Sequence, residues 1–321
     1  MMKLSVKRFA CILGISFFAM QAAGADNLSI ATGGTGGVYY PIGGGMASIF
    51  SKKIDGMAAT AEVTGGSVDN LKLVGSDDTY IGMTMADAAL DAYEGKNKFD
   101  GNKQSLRTLM IMYPNSMHVV TLEGKGITKF ADLKGKRLST GSPGSATEVM
   151  AFRELEAAGL DRDKDVERER LSVAESVNAL KDGKIDAFFW VGGLPTAAVT
   201  DLASTPGTTI LMIDNAELVP TMNKKYGNLY VQGVIGKDVY RGMKVDNKNA
   251  NVMNLLVANE EMDDETAYNI VKTIFESRDD LIAVHKITAD FAIDTQNSAA
   301  VPIPYHPGAV KYFQEHGADV K

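Results

Sequence analysis

Two stretches of the chain follow the same plan: a short apolar strand, a loop of Gly, Ser and Thr, and then a helix. In the first half, "LSIAT" leads into "GGTGGVYYP" (33–41), and a second loop, "TGGSVDN" (64–70), follows the next strand. In the second half, "KRLST" leads into "TGSPGSATE" (140–148). Strands that alternate with helices predict an α/β fold with a parallel sheet. The βα pattern begins again after residue 116, which predicts a second lobe built like the first.

The glycine-rich loops do not match nucleotide-binding motifs. A P-loop needs a lysine directly after its last glycine, but no lysine follows the first loop until Lys52. Gly34 and Gly36 begin a dinucleotide fingerprint, but Tyr39 occupies the position of its third glycine. A helix N-terminus still offers unpaired N–H groups and roughly half a positive charge. Such loops therefore predict sites for a small anion that need no basic side chain.

A purely structural interpretation of these loops stays open. Glycines after strands also make tight turns, and Ser67 and Ser145 can act as plain helix N-caps. Both interpretations allow the same local structure, because a cap and a ligand contact are compatible at a helix start. Three such loops in one chain favour the anion site.

The first 25 residues have the pattern of a secretory signal peptide. Three basic residues precede an apolar run over residues 9–20, and an A-x-A motif ends at Ala25. An uncleaved membrane anchor is the alternative, although the run is shorter than the ~20 residues of a span. Cys11 is the only cysteine and would leave with the signal, so the mature chain could form no disulfide. We therefore expect cleavage after Ala25 and a periplasmic protein.

The mature chain is acidic and long enough for two lobes. Removing three basic residues leaves 30 Lys and Arg against 40 Asp and Glu, a net charge of −10 instead of −7. Such a charge argues against binding to nucleic acid or to an anionic membrane surface. The remaining 321 − 25 = 296 residues exceed what one hydrophobic core usually serves.

The lobe boundaries follow from the order of the predicted elements. We predict lobe one in residues 26–115 and 260–321, and lobe two in residues 116–259. Two extended runs, "LRTLMIMY" and "HVVTLEG", flank "PNSM" at the first passage, and "VMNLLVA" would pair back near the second run. Residues 217–250 look polar and irregular, and helices are predicted from Asp263 onwards, including one at about 280–295.

An exported enzyme is disfavoured by its missing motifs. A nucleophile elbow would need G-x-S-x-G, but "GGSVD" has Asp69 in place of the last glycine. The four histidines form no H-E-x-x-H, and no cysteine of the mature chain could help to hold zinc. We therefore expect no catalytic residue, no metal site and no cofactor.

The chain resembles a known receptor family over nearly all of its mature length. The stretches "ATGGTGGVYYPIGGG", "VTGGSVDNL", "ADLKGKRLSTGSPGSATE", "DGKIDAFF", "GLPTAA" and "IPYHPGAVKYFQEHG" resemble, in this order, the TAXI family of solute receptors of TRAP transporters. The resemblance implies a type II periplasmic binding protein fold, with two α/β lobes and a ligand cleft between them. It also implies glutamate or another small dicarboxylate as ligand, and delivery to TRAP transporter membrane subunits.

The resemblance also implies which residues line the cleft. These are Thr35, Gly36, Gly37, Val38, Tyr39, Ser67, Asn70, Met85, Ser142, Ser145, Thr147, Trp190 and Gly192. Met85 stands where the family often has a Gln, which removes an amide from the cleft and makes glutamate a weaker candidate than 2-oxoglutarate or 2-hydroxyglutarate. Ala146 stands where a glycine is common. Trp190 could instead belong to the core, and we predict no ligand role for His306.

A ligand sensor is the nearest alternative to a transport receptor. Such a protein would present the same anion to a membrane signalling partner, and its lobes would close in the same way. In both cases we expect a monomer that binds a small organic anion and no nucleic acid.

Overall fold

The structure is a computed structural model that describes residues 26–321. The predicted signal peptide lies outside the described residues, so its cleavage stays a prediction. Within these residues ten strands form one sheet: β1 (Asp26–Ala31), β2 (Met57–Glu62), β3 (Tyr80–Met85), β4 (Leu106–Leu122), β5 (Arg137–Ser139), β6 (Glu167–Glu169), β7 (Ala187–Gly192), β8 (Ile210–Met212), β9 (Tyr230–Ile235) and β10 (Asn247–Asn259). Their order is β2-β1-β3-β10-β4-β7-β5-β6, while β8 pairs with β4 and β9 pairs with β10. In each half, three parallel strands are followed by an antiparallel strand: β10 beside β3, and β4 beside β7.

The first half of the sheet carries the N-terminal and C-terminal parts of the chain. Its elements are β1 (Asp26–Ala31), α1 (Tyr39–Lys53), β2 (Met57–Glu62), α2 (Ser67–Ser76), β3 (Tyr80–Met85), α3 (Ala86–Glu94), α8 (Asp264–Glu276), α9 (Arg278–Val284) and α10 (Pro307–Glu315). One apolar cluster joins α1 to the C-terminal helices through residues such as Phe50, Ile274 and Phe313. The C-terminal helices therefore pack against the first half of the sheet.

The second half repeats the plan with shorter strands. Its elements are β5 (Arg137–Ser139), α4 (Ala146–Ala157), β6 (Glu167–Glu169), α5 (Val173–Lys181), β7 (Ala187–Gly192), α6 (Ala197–Ser204), β8 (Ile210–Met212), α7 (Val219–Tyr226) and β9 (Tyr230–Ile235). Helix α5 begins with the predicted capping box, in which the Ser172 hydroxyl and the Glu175 carboxylate each accept a backbone N–H.

Two long strands, β4 (Leu106–Leu122) and β10 (Asn247–Asn259), run through both halves. The sequence predicts a break at "PNSM", but β4 is continuous through Pro114. A register shift in β10 between Met253 and Leu255 lies opposite this proline, which has no N–H to give to the ladder. Residues 247–252 pair with β9, and residues 254–258 pair with β3. This pairing favours a second passage between the lobes near Asn254, although the lobe boundaries stay a prediction.

Two segments differ from the sequence-based expectation. Residues 217–250 are not irregular, since they hold α7, β9 and the start of β10. The helix expected at about 280–295 is shorter: α9 ends at Val284, and a 3-10 helix follows at Lys286–Asp290. None of the helices in residues 26–321 combines the length and the apolar character that a membrane span requires.

The prediction of an α/β fold with parallel strands in each half is confirmed. His306, for which we predicted no ligand role, is buried at the start of α10. Its Nδ1 accepts the N–H of Gly308, and its Nε2 lies 2.9 Å from the carbonyl oxygen of Met262. It therefore caps α10 and ties this helix to the loop before α8.

Candidate functional site

A cleft lies between the lobes where the parallel strands end. Five helices begin at this cleft, because their first residues or N-caps line it: Tyr39 for α1, Ser67 for α2, Met85 for α3, Ser145 for α4 and Val173 for α5. Each helix directs the positive end of its dipole toward the same space.

Ten of the thirteen predicted site residues line this cleft. They come from both lobes and from five separate parts of the sequence: Gly37, Val38, Tyr39, Ser67, Met85, Ser142, Ser145, Thr147, Trp190 and Gly192. Their contact with a ligand stays a prediction, but the fold brings them to one place.

The other three predicted residues, Thr35, Gly36 and Asn70, lie outside the lining. The side chain of Asn70 is fully buried and donates to the carbonyl oxygens of Thr32 and Met83, each at 2.7 Å. Asn70 therefore holds two strand ends together. Gly36 packs against α5 and α6 of the other lobe, and Thr35 is exposed at the tip of its loop.

Hydroxyl groups in the cleft differ in what they can still donate. The Ser67 hydroxyl accepts the N–H of Met85 and lies beside the Tyr39 hydroxyl. The Thr147 hydroxyl accepts the N–H of Val191, and its proton has no acceptor in residues 26–321. The Ser145 hydroxyl accepts the N–H of Glu148 and donates to the carbonyl oxygen of Ser142 at 2.7 Å. Ser145 is therefore an N-cap whose proton already has an acceptor.

The cleft is lined by neutral groups. Of the described residues, no Lys, Arg, His, Asp or Glu lines it. The N–H groups of Ala146 and Thr147, in the first turn of α4, make no hydrogen bond to any residue in 26–321. Burial raises the pKa of Tyr39 far above 10, so its hydroxyl is neutral as well. The positive potential in the cleft therefore comes from helix N-termini and hydroxyl groups, and not from charged side chains.

Trp190 lies near the C-terminal end of β7, and its ring lies next to Gly37 of the other lobe. Its indole N–H donates to the Thr196 hydroxyl at 2.8 Å, and the N–H of Thr196 donates to the Tyr240 hydroxyl at 2.9 Å. The Tyr240 hydroxyl lies 3.0 Å from Nε2 of His118, whose Nδ1 faces the carbonyl oxygen of Ser116. Because a carbonyl can only accept, Nδ1 carries the proton and Nε2 accepts from Tyr240. The indole is thus held by a hydrogen-bonded chain of three buried residues, Thr196, Tyr240 and His118.

The sequence-based prediction misses eleven residues of the lining. Most are glycines or neighbours of the predicted residues: Gly33, Gly34, Gly65, Gly66, Asn115, Gly141, Ala146, Ser172, Val173, Val191 and Gly193. The loop glycines could have been found, since they stand in the same motifs. Asn115 carries no such signal, because it lies in the "PNSM" stretch that we expected to be a break between two strands.

Backbone hydrogen bonds join the two lobes around the cleft. The carbonyl oxygen of Gly144, in lobe two, accepts the N–H groups of Val68 and Asp69 at 3.0 and 3.1 Å. These N–H groups belong to the first turn of α2 in lobe one, so a carbonyl of one lobe caps a helix of the other. On the other side, the carbonyl oxygen of Gly36 accepts the N–H of Ala198 at 3.3 Å.

A buried ionic cluster connects α3 to α4. Arg153 of α4 is only 4% exposed and forms ion pairs with Asp87 and Asp91 of α3. It also donates to the Tyr230 hydroxyl at 2.7 Å, and this hydroxyl in turn donates to Asp87. Burial disfavours the charge of Arg153, but Tyr230, Asp87 and Asp91 outweigh it and raise the pKa of its guanidinium. In residues 26–321, no group of three or more His, Cys, Asp or Glu could hold a metal ion.

Sequence comparison places the chain in a family. The model of the NMT1-like family matches residues 30–317, which is most of the chain. This chain belongs to the NMT1-like family. The matched range contains every residue of the cleft lining, so the site lies within the NMT1-like region.

Solved structures similar to this NMT1-like protein share its fold. The structure of periplasmic binding protein BugD has 14% identity and a TM-score of 0.51, over 82% of this chain and 85% of that chain. A protein from Bordetella bronchiseptica RB50 has 20% identity and a TM-score of 0.50, over 90% and 80% of the two chains. A periplasmic transporter structure has 12% identity and a TM-score of 0.50, over 90% and 92%.

Proposed function

We propose that the protein is a periplasmic solute-binding receptor for a small organic anion, a dicarboxylate such as 2-oxoglutarate, 2-hydroxyglutarate or glutamate. One observation carries this proposal: five helices begin at a cleft whose described lining holds no charged side chain. Helix N-termini bind carboxylates through backbone N–H groups and dipoles. The hydroxyls of Ser67 and Thr147, from opposite lobes, add one donor for each end of a short dicarboxylate.

The location and the role in transport rest on similarity. BugD is described as a periplasmic binding protein, and another structure of this fold as a periplasmic transporter. We extend the location to this chain because its first 25 residues have the pattern of a signal peptide. The resemblance to TAXI receptors supports a TRAP-type permease as the membrane partner. The protein then binds and releases its ligand without chemical turnover.

A thermal-shift screen of purified mature protein tests the ligand class. A ligand at a hundred times its dissociation constant stabilises the folded state by about 2.7 kcal/mol. For a chain of this size, this corresponds to roughly 5–10 °C in melting temperature. We expect such shifts among C4 and C5 dicarboxylates. Shifts with sugars or cations only would contradict an anion receptor.

Reconstitution tests the transport role separately. TRAP membrane subunits in proteoliposomes should take up the ligand under a sodium gradient only when the receptor is present outside. Uptake at the same rate without the receptor would contradict delivery to the permease. It would not affect the conclusion about the ligand class, which the thermal-shift screen tests separately.

A further inference from the structure

We propose that Asn115 recognises a hydroxyl group of the ligand, so that the cleft selects a hydroxy-substituted carboxylate over its oxo and unsubstituted counterparts. This inference rests on the proposed function and specifies the ligand further. It concerns a part of the site that the sequence motifs do not contain, since Asn115 lies on the long strand β4, between the two lobes.

Asn115 is buried and lines the cleft, with 1% of its surface exposed. Its Nδ2 donates to Oδ1 of Asn254 at 2.8 Å. Its Oδ1 accepts no hydrogen bond from any residue in the described part of the chain. A buried amide oxygen without a donor costs free energy, and native structures rarely leave one unsatisfied. A donor from the ligand would satisfy it.

The neighbouring groups determine which atom of the Asn115 amide is free. Asn254 donates from Nδ2 to the carbonyl oxygen of Tyr113 at 3.2 Å, and this carbonyl can only accept. The opposite face of the Asn254 amide must therefore be its oxygen, which accepts from the Tyr39 hydroxyl and from Asn115. Asn115 has to turn its NH₂ toward Asn254. The atom left over is the oxygen, on a residue that lines the cleft.

The chemistry of this acceptor favours a hydroxyl as its partner. An oxo group of a ligand is itself an acceptor and would face the Asn115 oxygen without a proton between them. An ammonium group would donate, but no carboxylate in the described lining could balance its charge. Met85 stands beside this region as a further apolar neighbour. The hydroxyl of a 2-hydroxy acid can donate a hydrogen bond to the Asn115 oxygen and carries no charge that the lining would have to balance.

Calorimetry on the wild-type protein gives the first test. We compare both enantiomers of 2-hydroxyglutarate with 2-oxoglutarate and with glutarate, which share the two carboxylates and differ only at one carbon. One enantiomer of 2-hydroxyglutarate should bind at least about tenfold more tightly than 2-oxoglutarate or glutarate, because a site built for a donor rejects analogues without it. This test requires no variant and is independent of any folding defect.

Two variants then assign the preference to Asn115. Asn115→Leu replaces the amide with an apolar side chain of similar size and should reduce the preference to less than about threefold, through weaker binding of 2-hydroxyglutarate. Asn228→Leu makes the same change at an exposed position outside the cleft and should keep the full preference. Equal binding of 2-hydroxyglutarate, 2-oxoglutarate and glutarate to the wild type would overturn this inference but not the proposed function. An unchanged preference in Asn115→Leu would do the same. Binding of none of them would overturn the proposed function and the inference with it.

Discussion

Gly37 determines how closely the lobes approach each other at Trp190. A Cβ atom added at this position would lie 2.9 Å from Cη2 of the indole, a distance that packed atoms do not tolerate. Gly37→Ala should therefore oppose closure and weaken ligand binding by about 1–3 kcal/mol, the usual range for overpacking. Calorimetry with the best dicarboxylate of the screen measures the effect.

Gly44→Ala is the matched control for this substitution. Gly44 lies on the exposed side of α1, and a Cβ there would meet no atom within 4 Å. Alanine in a helix interior should raise the free energy of unfolding by roughly 0.5–1 kcal/mol and leave ligand affinity unchanged. Equal affinities of Gly37→Ala and Gly44→Ala would show that the lobes need not come this close.

His118 should make the fold sensitive to acid. Burial lowers the pKa of His118 to about 4, whereas an unfolded chain has a histidine pKa near 6.5. Between these values the unfolded state binds more protons, so the stability from neutral His118 is complete above pH 6.5 and is lost as the pH falls toward 4. The loss is roughly 3 kcal/mol at most.

Urea unfolding between pH 4 and 8 measures this contribution by difference. His118→Gln keeps an acceptor for Tyr240 but does not titrate, so its stability should fall less than that of the wild type below pH 6.5. All other ionisable groups are common to both proteins and cancel in the comparison. Parallel curves for the two proteins would contradict a buried neutral histidine.

At the scale of secondary-structure elements, Arg153 fastens α4 to α3. Arg153→Met would leave Asp87 and Asp91 buried without a cation, which should cost about 3–5 kcal/mol in the free energy of unfolding. Arg162→Met is the control, because Arg162 is 46% exposed and stacks on Phe152 at the surface. It should cost no more than about 1 kcal/mol in the same urea titration. Similar losses of unfolding free energy in both variants would argue against the buried ionic cluster as the main interaction between α3 and α4.

The elements that the sequence predicts best are those with local signals. The helix after "TGSPGSATE" and the capping box at Ser172 depend on residues that are close in sequence. Helix α7 also has such signals, Pro220 near its start and Gly227 at its end, and could have been found. Strand β9 could not, because it is an edge strand whose outward residues Val231 and Val234 break the alternation of buried and exposed positions.

The acceptor at Asn115 shows why part of the site escapes sequence analysis. Its partner Asn254 is 139 residues away, and the two meet because β4 and β10 are neighbouring strands in the assembled sheet. No spacing within one segment encodes this contact. The helix N-termini of the cleft were predictable, whereas the polar groups contributed by the crossing strands depend on the assembled sheet.

At the scale of the whole molecule, closure of the lobes should be visible in the single tryptophan. Trp190 is half-buried, with Gly37 of lobe one against its ring. If ligand draws the lobes together around β4 and β10, the indole loses water and its emission should shift to shorter wavelength. Stopped-flow or steady-state fluorescence with saturating dicarboxylate measures the shift in emission wavelength. Trp190→Phe should remove the signal while calorimetry still detects binding. Unchanged emission at saturation would place Trp190 outside the moving part of the cleft.

The hydrogen bonds that the Gly144 carbonyl oxygen accepts from the N–H groups of Val68 and Asp69 join the lobes without using any ligand atom. Because these hydrogen bonds stabilise the closed conformation without a ligand, part of the unloaded protein populates that conformation. This raises the apparent affinity, since less of the binding free energy goes into closing the lobes. In the proposed transport role, unloaded protein in the closed conformation would compete with loaded protein for the permease. A permease that recognises the bound ligand as well as the closed conformation would avoid this competition. Without such recognition, the transport rate would fall when the receptor is in large excess over the ligand.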